Sequence, residues 1–70
     1  MNSGELKGAM ARHHDTQERL AEALSLHVSG LNLRINGKME FRRSEINAIR
    51  KRYDLSPEET IRIFFDDEVS

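Results

Sequence analysis

The side chains in this sequence best equipped for chemistry are its cations. Between Arg34 and Arg52 stand Arg34, Lys38, Arg42, Arg43, Arg50, Lys51 and Arg52, with only Glu40 and Glu45 against them. From Asp54 to Ser70 the balance reverses, and six acidic residues face Arg62 alone. The net charge of −1 taken by itself speaks against a polyanionic partner, because neutralising phosphates requires lysine and arginine. Segregation outweighs the sum: one face can meet an anion while another carries the compensating acids. The competing reading is that these charges only solvate exposed helix faces.

The remaining reactive side chains do not form a workable set. His13 and His14 are adjacent, so on a helix they project about 100 degrees apart, while His27 lies in a separate segment and there is no cysteine to join them. Asp66, Asp67 and Glu68 read as a solvated tail, not a preorganised nuclease centre. Serine, histidine and aspartate all occur, but 70 residues leave no concave pocket in which to assemble a triad. The composition therefore implies no enzyme, no structural metal, no cofactor and no small-molecule substrate.

A chain of this length supports one domain, which buries about 60% of the surface its unfolded form exposes. Without disulfides it must be held by packing alone or by dimerisation. The absence of cysteine fits a reducing, cytoplasmic compartment. No apolar run approaches the roughly 18 residues of a membrane span, and the first residues lack the apolar stretch of a secretion signal.

Five elements must position the cations. Apolar residues recur at helical spacing and no stretch alternates with period two, so the chain reads as all helix. The first helix is expected from Glu5 to His13 on Leu6, Ala9 and Met10, with residues 1–4 frayed. Asp15-Thr16-Gln17-Glu18 has capping-box spacing and opens a second helix that buries Leu20, Ala21 and Leu24. A third runs from Val28 to Ile35, with Leu31 and Ile35 one turn apart, and stops at Asn36-Gly37, a pair that tolerates left-handed backbone. Phe41 anchors the next loop. Ile46, Ile49 and Tyr53 define a fourth helix with Ser44 as its expected cap, and Leu55 closes the connection that follows. Ser56-Pro57-Glu58-Glu59 opens the fifth, whose apolar face is read as Ile61, Phe64 and Phe65, with residues 66–70 frayed.

Thr16-Gln17, Leu20-Ala21, Leu24, Leu26, Leu31 and Asn36-Gly37-Lys38 fall without a gap on the pattern of the lambdoid-type phage repressor and Cro proteins, which the chain therefore resembles. The match is tightest from Thr16 to Lys38, about a third of the sequence. The resemblance implies a five-helix, all-α, lambda-repressor-like (XRE-like) domain with a helix-turn-helix over residues 16–38. It also implies a transcriptional regulator whose partner is an operator in double-stranded DNA. Ala21 then lies where two helices cross closely, and the leucines wedge the angle between them.

In such a motif the N-terminal part of the second helix enters the major groove, which makes Val28, Ser29, Asn32 and Leu33 the candidate base contacts. An asparagine amide donates and accepts side by side and so matches adenine, while a valine can meet a thymine methyl. Gln17, at a helix N-terminus that favours an anion, resembles the family's phosphate-contacting glutamine. Asn36 and Lys38 resemble the phosphate contacts after the recognition helix. Arg42 and Arg43, at or before the start of the fourth helix, oppose its dipole unless an external phosphate sits there.

Several positions depart from the family pattern. His27 replaces the usual serine or threonine cap, Ser25 stands where glycine is common in a left-handed turn, Gly30 lies inside the recognition helix, and Leu33 is apolar where a polar reader is expected. A domain that kept the scaffold but lost base reading, using Val28, Gly30 and Leu33 as an apolar protein-binding patch, is the alternative. Dimerisation is expected from leftover apolar surface, since Ile63 and Val69 do not fit the inward stripe of the last helix and Phe65 is at its margin.

Overall fold

A computed structural model describes residues 1–65 and places five α-helices among them, with no strand: α1 Ser3–Arg12, α2 Gln17–Ala23, α3 Val28–Ile35, α4 Arg43–Arg52 and α5 Pro57–Phe64. None is long and apolar enough to cross a membrane. The Cα radius of gyration is 11.1 Å, and a single folded domain of this length should give about 11 Å. Leu6, Ala9, Met10, Leu20, Ala21, Leu31, Ile35, Ile49, Tyr53, Leu55 and Ile63 form one buried core drawn from all five helices, with Phe41 and Phe64 packed edge to face at its rim. The expected C-terminal fraying and the apolar role of Val69 concern residues outside those described.

The four connections between helices share one construction. Each helix ends on a residue in left-handed conformation: His14 (φ 53°), Ser25 (φ 59°), Gly37 (φ 80°) and Asp54 (φ 50°). In each case that residue's N–H reaches the carbonyl three back, and the next residue's N–H reaches the carbonyl five back. Ser25 N donates to Glu22 O (3.0 Å) and Leu26 N to Ala21 O (2.8 Å); Gly37 N donates to Arg34 O (3.2 Å) and Lys38 N to Leu33 O (2.9 Å). These are Schellman caps, which satisfy carbonyls that a helix end would otherwise orphan. Only one of the four uses glycine. A non-glycine residue loses roughly 1 kcal/mol in this backbone region, so Ser25→Gly is expected to raise stability by about 0.5–1 kcal/mol. A urea midpoint that stays put or falls would contradict this.

Helix starts are where the local pattern and the fold diverge. α1 begins at Ser3, not Glu5, because Asn2 Oδ1 accepts from Glu5 N (3.1 Å) while Asn2 N donates to Ile63 O (2.7 Å), tying residues expected to fray onto α5. Thr16, not Asp15, caps α2 by accepting from Arg19 N (3.1 Å). At α4 the cap position belongs to Arg42, not Ser44: Glu45, three residues on, accepts from Arg42 N (2.8 Å). α5 keeps its full capping box, with Ser56 Oγ accepting from Glu59 N (3.0 Å) and Glu59 accepting from Ser56 N (2.8 Å).

The buried face of α5 differs from the expected one. Ile63 is 1% exposed while Ile61 is 57% and Phe65 is 59% exposed. Thr60 takes an inward position because its hydroxyl donates to Ser56 O within the helix (2.9 Å) and so needs no other partner. Reading only apolar residues hides this register, since the inward stripe runs through a threonine.

Candidate functional site

α3 is the element that presents the candidate readers, and α2 is what holds it. Leu20 and Ala21 of α2 and Leu31 and Ile35 of α3 are buried in the same core, and Leu24 and Leu26 of the connecting turn pack on it. That arrangement turns the remaining face of α3 outward. Ser29 and Leu33, one turn apart, are exposed, and Asn32 beside Leu33 is half-exposed. Val28 is half-buried and packs against the core, which divides it between fold and surface.

The N-terminus of α3 differs electrostatically from the other four. α1, α2 and α5 have side-chain caps, α4 has the Glu45 carboxylate at its first N–H groups, and all four carry an acid in the first turn. α3 has neither a side-chain cap bond from His27 nor an acidic residue in its first turn. Its first N–H groups and the positive end of its dipole are therefore offset neither by a cap side chain nor by an acid of its own first turn, a state that favours an external anion.

Two of the seven cations in the basic stretch are committed internally. Arg34 Nε donates to Glu45 Oε1 at 3.0 Å, with both side chains under 9% exposed (7% and 8%). The other arm of Arg34, Nη1, donates to Gly30 O at 2.9 Å. Gly30 is thus where the guanidinium lies along α3, and a methyl group added there would come 3.4 Å from Nη1. Because Glu45 Oε1 also accepts from Arg42 N, one carboxylate oxygen joins the C-terminal half of α3 to the first residues of α4. Arg42 and Arg43 are both exposed and are held in fixed relation to the outer face of α3 by this link.

Arg52 is the second committed cation. Its Nε and Nη2 donate to the two carboxylate oxygens of Asp15 at 2.8 and 3.0 Å, and Tyr53 OH donates to Oδ2 of the same group. Thr16 N adds a bond to Oδ1 (2.9 Å). The bond from Arg52 is the main reason the Asp15 carboxyl is held well below the usual carboxylate range; burial opposes it, and Tyr53 and Thr16 reinforce it. Burial first, and then donation to Asp15, push the Tyr53 phenol above its ordinary value.

Lys38, Arg42, Arg43, Arg50 and Lys51 lie at or near the surface with no ion-pair partner among the described residues, Arg50 only partly exposed. Asn36 caps the end of α3 and is exposed, as is Lys38 shortly after it, while Gln17 is the half-buried first residue of α2. The expected phosphate contacts thus fall into two groups, Gln17 at one end of the α2–α3 pair and Asn36, Lys38, Arg42 and Arg43 beyond the other.

The sequence pattern does not single out Glu45, Arg34, Asp15, Arg52 or Tyr53 as positioning residues. For Glu45 a signal exists, because a glutamate three residues after Arg42 has the spacing of a capping residue. A separate cleft of about 570 Å³ runs between the loop after α3 and α5, where Arg34 and Glu40 join Met39, Phe41, Ile46 and Phe64 in its mixed polar and apolar lining. Comparison of the chain with protein-family models, with curated proteins and with solved structures found no significant match.

Proposed function

We propose that this chain is a non-catalytic duplex-DNA-binding domain of the helix-turn-helix type, resembling the lambdoid repressor and Cro proteins, and that it regulates transcription by recognising a short operator. The observation that carries the reading is the acid-free, uncapped N-terminus of α3, which stands on a helix whose outer face is otherwise short of intramolecular partners. In this reading α3 lies in the major groove. Asn32 reads an adenine edge, Ser29 bonds a base or phosphate, and Val28 and Leu33 supply apolar contact to thymine methyls. Gln17, Asn36, Lys38, Arg42 and Arg43 hold the backbone phosphates on either side.

The decisive measurement is affinity for random-sequence duplex DNA as a function of salt. With Lys38, Arg42 and Arg43 as phosphate partners, log K should fall with log salt at a slope of about −3 per subunit. Lys38→Ala should reduce that slope by about 0.9 and weaken all sequences alike. Asn32→Ala should cost on the order of 1–3 kcal/mol at one base position and relax preference there. Undetectable affinity at low salt would end the DNA reading. It would favour instead a protein-interaction module, for which the 41% exposure of Leu33 is the supporting observation.

The domain is further proposed to act as a homodimer, with recognition helices in successive major grooves about 34 Å apart. Ile63, expected as leftover apolar surface, is buried; Ile61, Phe65 and Met39 are the exposed apolar residues that a second copy would cover. Sedimentation at high micromolar concentration should show a dimer that sharpens on operator DNA. A monomer under both conditions would remove this part of the proposal.

A further inference from the structure

Where α1 ends, α2 begins and α4 ends, six side chains line a cleft of about 310 Å³: His13, His14, Asp15, Arg19, Arg52 and Tyr53. Its one carboxylate is spent. Asp15 has a side chain only 4% exposed and accepts from Arg52 twice, from Tyr53 and from Thr16 N. Arg52 cancels its charge. Apart from Arg52, which is committed to Asp15, the exposed groups lining the opening are His13, His14 and Arg19, all potential cations.

Their placement is set in advance by the fold. The His13 ring stacks on Tyr53 with centroids 5.0 Å apart and planes inclined by 28°. His14 holds the left-handed position that ends α1, and its carbonyl accepts from Arg19 Nη1 at 3.4 Å, drawing the guanidinium over the loop. Imidazole and guanidinium side chains from an α1 terminus, a loop and α2 lining one cleft suit a tetrahedral oxyanion, which accepts several charge-assisted bonds at once.

We propose that this cleft binds a phosphate-like oxyanion, and that protonation of His13 and His14 controls how strongly it does so. The source favoured by position is the nucleic-acid backbone, because the cleft adjoins Gln17 at the start of α2; this assignment rests on the DNA reading, whereas oxyanion binding does not. The charged residues lining the cleft are Asp15 in the loop, Arg19 on α2 and Arg52 at the end of α4, and those adjoining the lining residues in sequence are Arg12, Glu18, Lys51 and Asp54. Carboxylates and guanidinium groups as classes keep their charge between about pH 5.5 and 8, so a change in affinity across that window belongs to the histidines.

The test follows the ring resonances of all three histidines by NMR between about pH 5 and 8.5, the range in which imidazoles titrate. The first arm adds sulfate, an oxyanion that does not titrate in this range, and the second adds a short DNA duplex. Sulfate should raise the titration midpoints of His13 and His14 by about half a pH unit or more. A midpoint raised by about one pH unit corresponds to a tenfold change in affinity per group, so duplex affinity should rise about tenfold from pH 8 to pH 6. The double variant His13→Gln, His14→Gln should lose most of that dependence. Arg19→Gln, which leaves the His13–Tyr53 stack in place, should weaken sulfate binding at every pH.

Midpoints of His13 and His14 that do not rise in sulfate overturn the site. Duplex binding that perturbs His27 but is indifferent to pH overturns the cleft and leaves the DNA reading standing. A sulfate response without any duplex binding at low salt supports the oxyanion site and assigns it to a free anion, ending the DNA reading instead.

Discussion

Glu45→Ala is expected to destabilise the domain by about 3–5 kcal/mol. The substitution removes the only carboxylate that the described residues place on Arg34, whose side chain is 7% exposed, and a cation left buried without its partner costs about that much. It also removes the acceptor for Arg42 N at the start of α4, worth about 1 kcal/mol in a helix cap. Whole-domain stability for 70 residues is on the order of 4–10 kcal/mol, so the variant should be partly unfolded near 37 °C. Urea denaturation measures the loss directly. A double variant, Arg34→Met with Glu45→Leu, should recover most of it, because the ion pair stabilises little beyond what apolar packing would. A single-variant loss below about 1 kcal/mol would show that Arg34 swings out to water and that the α3–α4 link is not fixed. In the DNA reading the recovered double variant should still bind less well than the parent, since Arg42 would no longer be held from below by Glu45.

The elements themselves were legible because each depends on neighbours in sequence. α3 spans Val28–Ile35 as its leucine and isoleucine spacing indicates, and Ser56-Pro57-Glu58-Glu59 folds as the cap it resembles. What local pattern could not supply is a choice decided across the fold. Ile61 and Ile63 are equally apolar, and only the contact between the start of α1 and the end of α5, marked by Asn2 N on Ile63 O, selects the second for the core. Arg34 likewise looks like any surface arginine until Glu45, eleven residues on, arrives beside it. The basic stretch is thus less of an anion-binding surface than its composition suggests, since two of its arginines are internal ties. The features of α3 that depart from the family pattern change meaning as well. Gly30 is where Arg34 lies back on the helix, and the lack of a His27 cap leaves the helix start open to an anion.

Comparing the connections explains why Asp15 is placed so deeply. In Ser25-Leu26-His27 and Asp54-Leu55-Ser56 a left-handed residue is followed by a leucine that turns toward the core and then by the next helix's cap. His14-Asp15-Thr16 repeats the construction with an aspartate in the leucine's place. An inward carboxylate needs partners, and Arg52, Tyr53 and Thr16 N supply them. The end of α4 is thereby bound to the start of α2, as Glu45 binds the start of α4 to α3.

That replacement makes the stability of the domain depend on pH in a predictable direction. Asp15 ionises more readily in the folded chain than in the unfolded one, so the unfolded state takes up its proton first as pH falls. The contribution is complete above about pH 5, where both states are ionised, and fades as the pH drops through the unfolded-state value near 4 and below. Asp15→Asn should accordingly cost about 2 kcal/mol at neutral pH, discounted for the 34% exposure of Arg52. Between about pH 5 and 9 the gap between parent and variant should be constant, and it should narrow progressively as the pH falls below about 4 toward the acid limit. At the alkaline end the sign reverses for Tyr53: its phenol is held neutral by the fold, so stability should fall above about pH 10 as the unfolded state ionises first. Urea midpoints for both proteins from strongly acid to strongly alkaline pH decide the matter. A gap of the same size near the acid limit as at neutral pH would mean that Asp15 acts through shape and hydrogen bonding, not through its charge, and that the link between α2 and α4 is not an ion pair in energetic terms.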